Sequence, residues 1–178
     1  MHSRTGRPAA GASHASGFTL IELVVTLAVV AVLAVLALPS FTSTLGQSRM
    51  TAAANNLVAA LNLARSEAIG RARAVSVCPS ADGARCGGND WNTGWIAYVD
   101  GGVAGRFDGD DVALRAWSGL KSGDSVAATR AGVTFGATGM ADAAVEFVAR
   151  PDRCKADQQR RVSLLAFGRV SSRREACS

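Results

Sequence analysis

Gly17-Phe18-Thr19-Leu20-Ile21-Glu22 opens an apolar run that continues to Leu38. From Phe18 to Leu38 there are 21 residues, and only Thr19, Glu22 and Thr26 are polar. An α-helix rises about 1.5 Å per residue, so about 20 apolar residues span the hydrocarbon of a bilayer. A secretory signal has a shorter apolar region, roughly 7–15 residues, and Ala37-Leu38-Pro39 makes a poor small-residue cleavage site. The run therefore predicts a retained transmembrane helix. Glu22 is the anomaly within it, because an acid at mid-membrane costs about 2.5–3.5 kcal/mol and less near an end. The first helical turn favours negative charge and offsets part of that cost. In a bundle of such helices Glu22 would pair with a neighbour's N-terminal ammonium and hold the helices in axial register; alone, it would snorkel to the interface.

Residues 1–17 carry Arg4 and Arg7, no acid, and many Gly, Ala and Ser. A short basic flank ahead of an apolar helix stays cytoplasmic and sends the rest of the chain across. Pro39, at the end of the run, is expected to kink or locally melt the helix. Beyond it Leu57, Leu61, Ala64 and Ala68 recur at helical spacing with Val58 alongside, while Arg65, Glu67, Arg71 and Arg73 supply polar positions. That pattern predicts an amphipathic helix seated on a soluble domain, with helix expected from Phe18 to Arg73.

After Arg73 the sequence breaks into short apolar runs punctuated by glycine. Expected strands are 74–78, 95–100, 112–117, 125–130, 144–149 and 161–167, a meander rather than further helices. Cys78, Cys86, Cys154 and Cys177 include no CxxC pair and have no nearby histidine, which argues against zinc. In an oxidising compartment they read as disulfides. Three connectivities are open; proximity favours Cys78–Cys86 and Cys154–Cys177.

His2 and His14 are the chain's only histidines, and both precede Gly17. Histidine acid–base chemistry is thus absent from the remainder. There is no GxSxG elbow, Walker A sequence or Gly-rich dinucleotide turn. No enzyme, cofactor or metal is expected. The nearest candidate is a loop of Asp100, Asp108, Asp110 and Asp111 among Gly101, Gly102, Gly105 and Gly109. Such oxygens suit Ca²⁺, but the EF-hand register fails for want of a glutamate at its twelfth position. The stretch reads as a hairpin loop.

Charge gathers at the C-terminal end. Residues 149–178 hold eight basic residues and three acids, while 18–148 hold nine basic and eleven acidic. A concentrated basic patch is the footprint of a polyanion binder. Its plain alternative is a solvated face, or arginines paired with acids of neighbouring subunits.

From Phe18 through the strand Gly94-Trp95-Ile96-Ala97-Tyr98-Val99-Asp100 to Gly168-Arg169, the chain resembles the GspH/FimT pseudopilins of type IV pili and type II secretion. The resemblance implies an α+β pilin-like fold, with a long N-terminal helix on a β-rich head of antiparallel strands. It implies a leader at 1–17 cut after Gly17 by a prepilin peptidase, and Phe18 as the methylated new N-terminus. It further implies a transmembrane and assembly helix at 18–39 using Glu22, an amphipathic helix at 40–73 and a periplasmic domain at 74–178. The anchor would be a single pass in the inner membrane, and the other partners would be pilin or pseudopilin subunits. A D-rich loop after a Gly-Trp strand also fits this group. FimT-like minor pilins are associated with DNA uptake and carry a C-terminal GRxR motif. Here Gly168-Arg169-Val170-Ser171 lacks the second arginine, and Arg173 and Arg174 follow. The resemblance thus implies non-specific double-stranded DNA contacts by Arg169, Arg173 and Arg174, supported by Arg160 and Arg161. The alternative is a GspH-like structural subunit of type II secretion. Replacing Gly17→Leu should leave the leader attached, read as the unprocessed mass of the membrane-extracted protein; normal processing of that variant would rule out the pilin-type cut.

Overall fold

The computed structural model describes the backbone of residues 17–103 and 105–177 and, outside 35–40, their side chains. Residues 1–16 of the expected leader, and the side chains closing the expected span, lie outside the described residues. The chain divides into two compact units, Met1–Ser40 and Phe41–Ser178.

Helix α1 is Leu20–Arg71. It does not melt at Pro39, since helical backbone continues through that position. A proline removes one amide donor and so one helical hydrogen bond, and the turns on either side keep theirs. In the first unit the side chains of residues 18–34 are all exposed. Among the described residues no helix is long and apolar enough to cross a membrane; the expected span, however, ends in side chains outside that set.

The second unit begins with the remainder of α1. Met50, Ala53, Ala54, Leu57, Ala60, Leu61, Ala64 and Ala68 are buried along one stripe, following the three-and-four spacing of a helix face. The helix stops in a Schellman turn: the N–H of Arg73 bonds the Ala68 carbonyl at 3.3 Å and that of Ala72 bonds Ile69 at 3.3 Å. Ala72 takes the left-handed φ of 52° that such a turn demands.

Among the described residues eight strands follow: β1 (Val75–Pro79), β2 (Gly94–Val99), β3 (Val112–Ser118), β4 (Ser125–Ala128), β5 (Val133–Phe135), β6 (Val145–Arg150), β7 (Gln159–Leu164) and β8 (Val170–Glu175). They form two antiparallel four-stranded sheets, ordered β3-β2-β1-β5 and β4-β6-β7-β8. Two strands were not expected. β5 has only three residues, too short for a period to show. β8 lay hidden in what read as a basic tail. The expected strand at 161–167 shifts to Gln159–Leu164, because Leu165 to Gly168 turn the chain, with the Gly168 N–H bonding the Leu165 carbonyl at 2.8 Å.

The apolar stripe of α1 shares one core with residues of both sheets, among them Val75, Val77, Trp95, Phe135, Val145, Phe147, Val162 and Leu164. At its centre Trp91 meets Phe147 edge-to-face at 4.8 Å and donates its indole N–H to the Arg130 carbonyl at 3.0 Å. β2 is buried on both faces, since Ile96 and Tyr98 pack with Cys78, Cys86 and Phe107 on the far side. Disulfides join Cys78 to Cys86 and Cys154 to Cys177. Of the three open connectivities, these pairs are nearest in sequence.

A polar tie crosses from α1 to the second sheet. Arg49 Nε donates to Asp124 at 2.6 Å, and Asp124 also accepts from the Asp152 N–H at 3.0 Å. The Asp124 side chain is 1% exposed. Burial pushes its carboxyl up, but the hydrogen bonds from Arg49 and Asp152 and the nearby Arg49 and Lys121 charges outweigh it and hold it below the ordinary carboxylate range. A depressed carboxylate stabilises the fold above its unfolded pKa, and that contribution is lost as pH falls through the folded value. Asp124→Ala should cost about 2–3 kcal/mol in urea melts at pH 7, beneath the range for a fully buried pair because Arg49 is partly exposed. The gap between variant and wild type should narrow steadily below about pH 4.

Candidate functional site

Two places bear on function: the N-terminal motif and the arginine-rich hairpin β7–β8. In the motif, Thr19 Oγ1 accepts the Glu22 N–H at 3.3 Å and the Thr19 carbonyl accepts the Leu23 N–H at 3.2 Å. Thr19 is therefore the N-cap and Glu22 its third helical residue, the Thr-x-x-Glu spacing of a capping box. Sequence reasoning passed over Thr19, although that spacing was readable. Phe18 and Glu22 both stand exposed.

The hairpin places the C-terminal arginines by strand alternation. Arg160 lies opposite Arg174 in the ladder, and Arg161 lies opposite Arg173. Successive residues of a strand face opposite sides, so the neighbours Arg160 and Arg161 part company, as do Arg173 and Arg174. Gly168 allows the turn between the strands with φ of 84°, and a Cβ there would collide with the Gly139 carbonyl. Arg65 of α1 holds the turn by donating to the Gly168 carbonyl at 2.9 Å. Arg169 follows the turn and is exposed.

On the outer face Glu175 bridges the pair. Arg161 Nε donates to it at 2.8 Å and Arg173 Nε at 2.7 Å, while Arg161 Nη1 reaches Glu146 at 2.7 Å. The hydrogen bond from Arg161 holds the Glu175 carboxyl below its ordinary value against desolvation, with Arg173 adding to it. On the inner face Arg160 Nη2 donates to Thr51 Oγ1 at 2.9 Å, and Arg174 Nη1 donates to Asp157 at 3.2 Å. The basic end seen in the sequence is thus an ordered edge hairpin whose arginines are partly answered by Glu146, Asp157 and Glu175. Glu146 lies outside the basic segment 149–178 in sequence, and only the strand register brings it to Arg161.

The acidic loop joins β2 to β3; Asp100, Asp108 and Asp111 turn their carboxylates onto the protein, while Asp110 is exposed. Asp100 accepts from Ser76 Oγ at 3.1 Å and from the Gly105 N–H at 2.5 Å. Asp111 accepts the N–H groups of Gly101 and Asp108, each at 2.7 Å. Those three carboxylates spend their oxygens on the protein's own donors. Among the described residues no group of three or more histidine, cysteine or acidic side chains is arranged to hold a metal.

The chain matches the family described as Type II transport protein GspH over residues 53–168 and the prokaryotic N-terminal methylation motif over residues 12–38. It belongs to the GspH family. No curated protein matches it. Among solved structures it is similar to the type IV minor pilin FimU of Pseudomonas aeruginosa in two crystal forms. In one the identity is 25%, with a TM-score of 0.56 over 71% of this chain and 89% of that one. In the other the identity is 26%, with a TM-score of 0.54 over 69% and 91%. The minor pseudopilin EpsH from the Type 2 Secretion System of Vibrio cholerae aligns at 14% identity and a TM-score of 0.45, over 71% of this chain and 97% of that one.

Glu175→Gln should lower the melting temperature at neutral pH by leaving Arg161 and Arg173 face to face without their shared carboxylate. Because the Glu175 pKa is depressed on folding, its contribution is present above the unfolded value and fades as pH falls through the folded one. Wild type and variant should therefore converge on acidification and on adding salt; an equal gap at every pH would contradict the bridge.

Proposed function

We propose that this protein is a minor subunit of a type IV pilus-related fibre, anchored by residues 18–39 in the inner membrane until it is assembled, with its head in the periplasm. The observation that carries the reading is the exposed apolar stretch 18–34 within the methylation motif matched over residues 12–38. A continuous apolar surface of that size calls for lipid or for other helices. Prepilin peptidase would remove residues 1–17 and leave Phe18 as the new amine. Glu22 then serves twice, as the third residue of the cap and as the partner of a neighbouring subunit's Phe18 ammonium. The role is structural rather than catalytic. Similarity to the minor pilin FimU favours the pilus over a type II secretion pseudopilus; the GspH family description keeps secretion as the alternative.

Within the pilus reading, the β7–β8 hairpin contacts double-stranded DNA without reading its sequence. Arg173 favours this, since its side chain remains 67% exposed despite its ion pair, and Arg169 beside the turn is exposed as well. Arg174 stands with them at the edge, while Arg160 and Arg161 support the two faces from β7. Gel-shift of duplex DNA by the full chain in detergent micelles, over a salt series, tests it. Micromolar retention should weaken steeply with salt through counterion release and be lost in Arg169→Ala/Arg173→Ala. No retention at low salt would favour the structural role in secretion.

A further inference from the structure

The two faces of the hairpin carry the same pair of charges and answer them differently. Like charges directly opposite in a ladder are unfavourable. On the outer face the Glu175 carboxylate sits between Arg161 and Arg173 and bonds both. On the inner face, among the described residues, no carboxylate bridges Arg160 and Arg174. Asp157 touches Arg174 alone, from a side chain 59% exposed at the rim. Arg160 Nε is buried without a hydrogen-bond partner, a costly condition for a guanidinium N–H.

What faces this inner pair is a neutral, oxygen-rich stripe of α1. Thr44, Gln47, Ser48, Thr51, Ala52 and Asn55 line a groove of about 420 Å³ together with Arg160 and Arg174. The positions recur every three or four residues, so they share one helical face. With the Gln47 amide turned so that its oxygen faces the strand, it accepts from both terminal nitrogens of Arg174. That contact pins Arg174 against the helix and leaves the groove with two guanidiniums, hydroxyl donors and one peripheral carboxylate. The hydroxyl, amide and guanidinium groups of the lining suit a polar group.

We propose that this groove is a phosphate-binding site, with Arg160 and Arg174 as its charged fork and the Ser48 hydroxyl as a further donor; the Thr51 hydroxyl already donates to the Gln47 carbonyl at 2.9 Å and only positions Arg160. A tetrahedral oxyanion has enough acceptor oxygens to bond both guanidiniums and a hydroxyl at once. It would relieve the inner face as Glu175 relieves the outer one. The site shares Arg160 and Arg174 with the DNA reading but not Arg169 and the exposed Arg173, which carry that reading. The phosphate has two chemical sources, free phosphate or the headgroup of an anionic phospholipid. The latter is natural for a chain whose groove begins at Thr44, six residues after the apolar run closes at Leu38.

The test uses the full chain in phosphate-free detergent micelles, with thermal unfolding followed at constant ionic strength. One arm adds inorganic phosphate against chloride, a second adds phosphatidylglycerol against phosphatidylcholine, and a control arm adds duplex DNA. Phosphate or phosphatidylglycerol should raise the melting temperature saturably, and Arg160→Gln/Arg174→Gln should weaken the apparent affinity at least tenfold. Arg161→Gln/Arg173→Gln should leave it within twofold. Saturation by inorganic phosphate identifies a free anion, whereas saturation by phosphatidylglycerol alone identifies the lipid headgroup. Should the double variant fail to fold, Arg174→Gln at the rim carries the same comparison. The proposal is overturned if neither probe protects, if both arginine pairs weaken binding equally, or if only duplex DNA protects.

Discussion

Both sheets of the head depend on a single stripe of α1 for their cover. Each sheet turns an apolar face to that stripe, and the first sheet carries a second, smaller cluster on its far side. Leu57 and Leu61 supply the bulk of the stripe, while Ala53, Ala54, Ala60, Ala64 and Ala68 keep it low. Small side chains let the strands lie close to the helix backbone, and the aromatic rings of Trp91, Trp95, Phe135 and Phe147 fill the space between. Were the alanines large, the sheets would be pushed apart and the packing around Trp91 lost. The Arg49–Asp124 pair and the Gln158 amide, which donates to the Ser43 hydroxyl at 2.6 Å, add polar ties near the start of that stripe.

The same alternation that builds the core governs the charges. A count of basic residues at the C-terminal end treats them as one field, but a hairpin sorts them by parity. Arg161 and Arg173 share a face with Glu146 and Glu175, and Arg160 and Arg174 share the other with the hydroxyls of α1. Net charge is unchanged by folding, yet its availability is not, because a guanidinium already bridged by a carboxylate offers less to a polyanion than one that is free. Arg169, beside a turn that only a glycine at 168 permits, escapes this sorting and stays exposed.

At the other end, Thr19 and Glu22 meet two demands with three residues of spacing. The helix needs its first N–H groups satisfied, which the Thr19 hydroxyl begins to do. A negative charge in that first turn also suits the helix dipole. A capping role explains why an acid is tolerable at this depth of an apolar run; it does not require the run to be covered by its own head, and the side chains of 18–34 are exposed.

Much of this was legible from local pattern. The apolar run with its early glutamate, the helical spacing of Leu57, Leu61, Ala64 and Ala68, the Gly-Trp strand and the nearest-neighbour cysteine pairs are all short-range signals. Periodicity and proximity are properties of the chain itself, so the sequence determined them. The three-residue β5, the division into two sheets, and the conversion of a basic tail into strand β8 were decided by tertiary structure. A strand of Val-Ser-Ser-Arg-Arg-Glu has no apolar period to announce it, and exists because β7 offers an unpaired edge to which its backbone can bond. Which arginines are answered by acids, and which face the groove on α1, follows from that register alone.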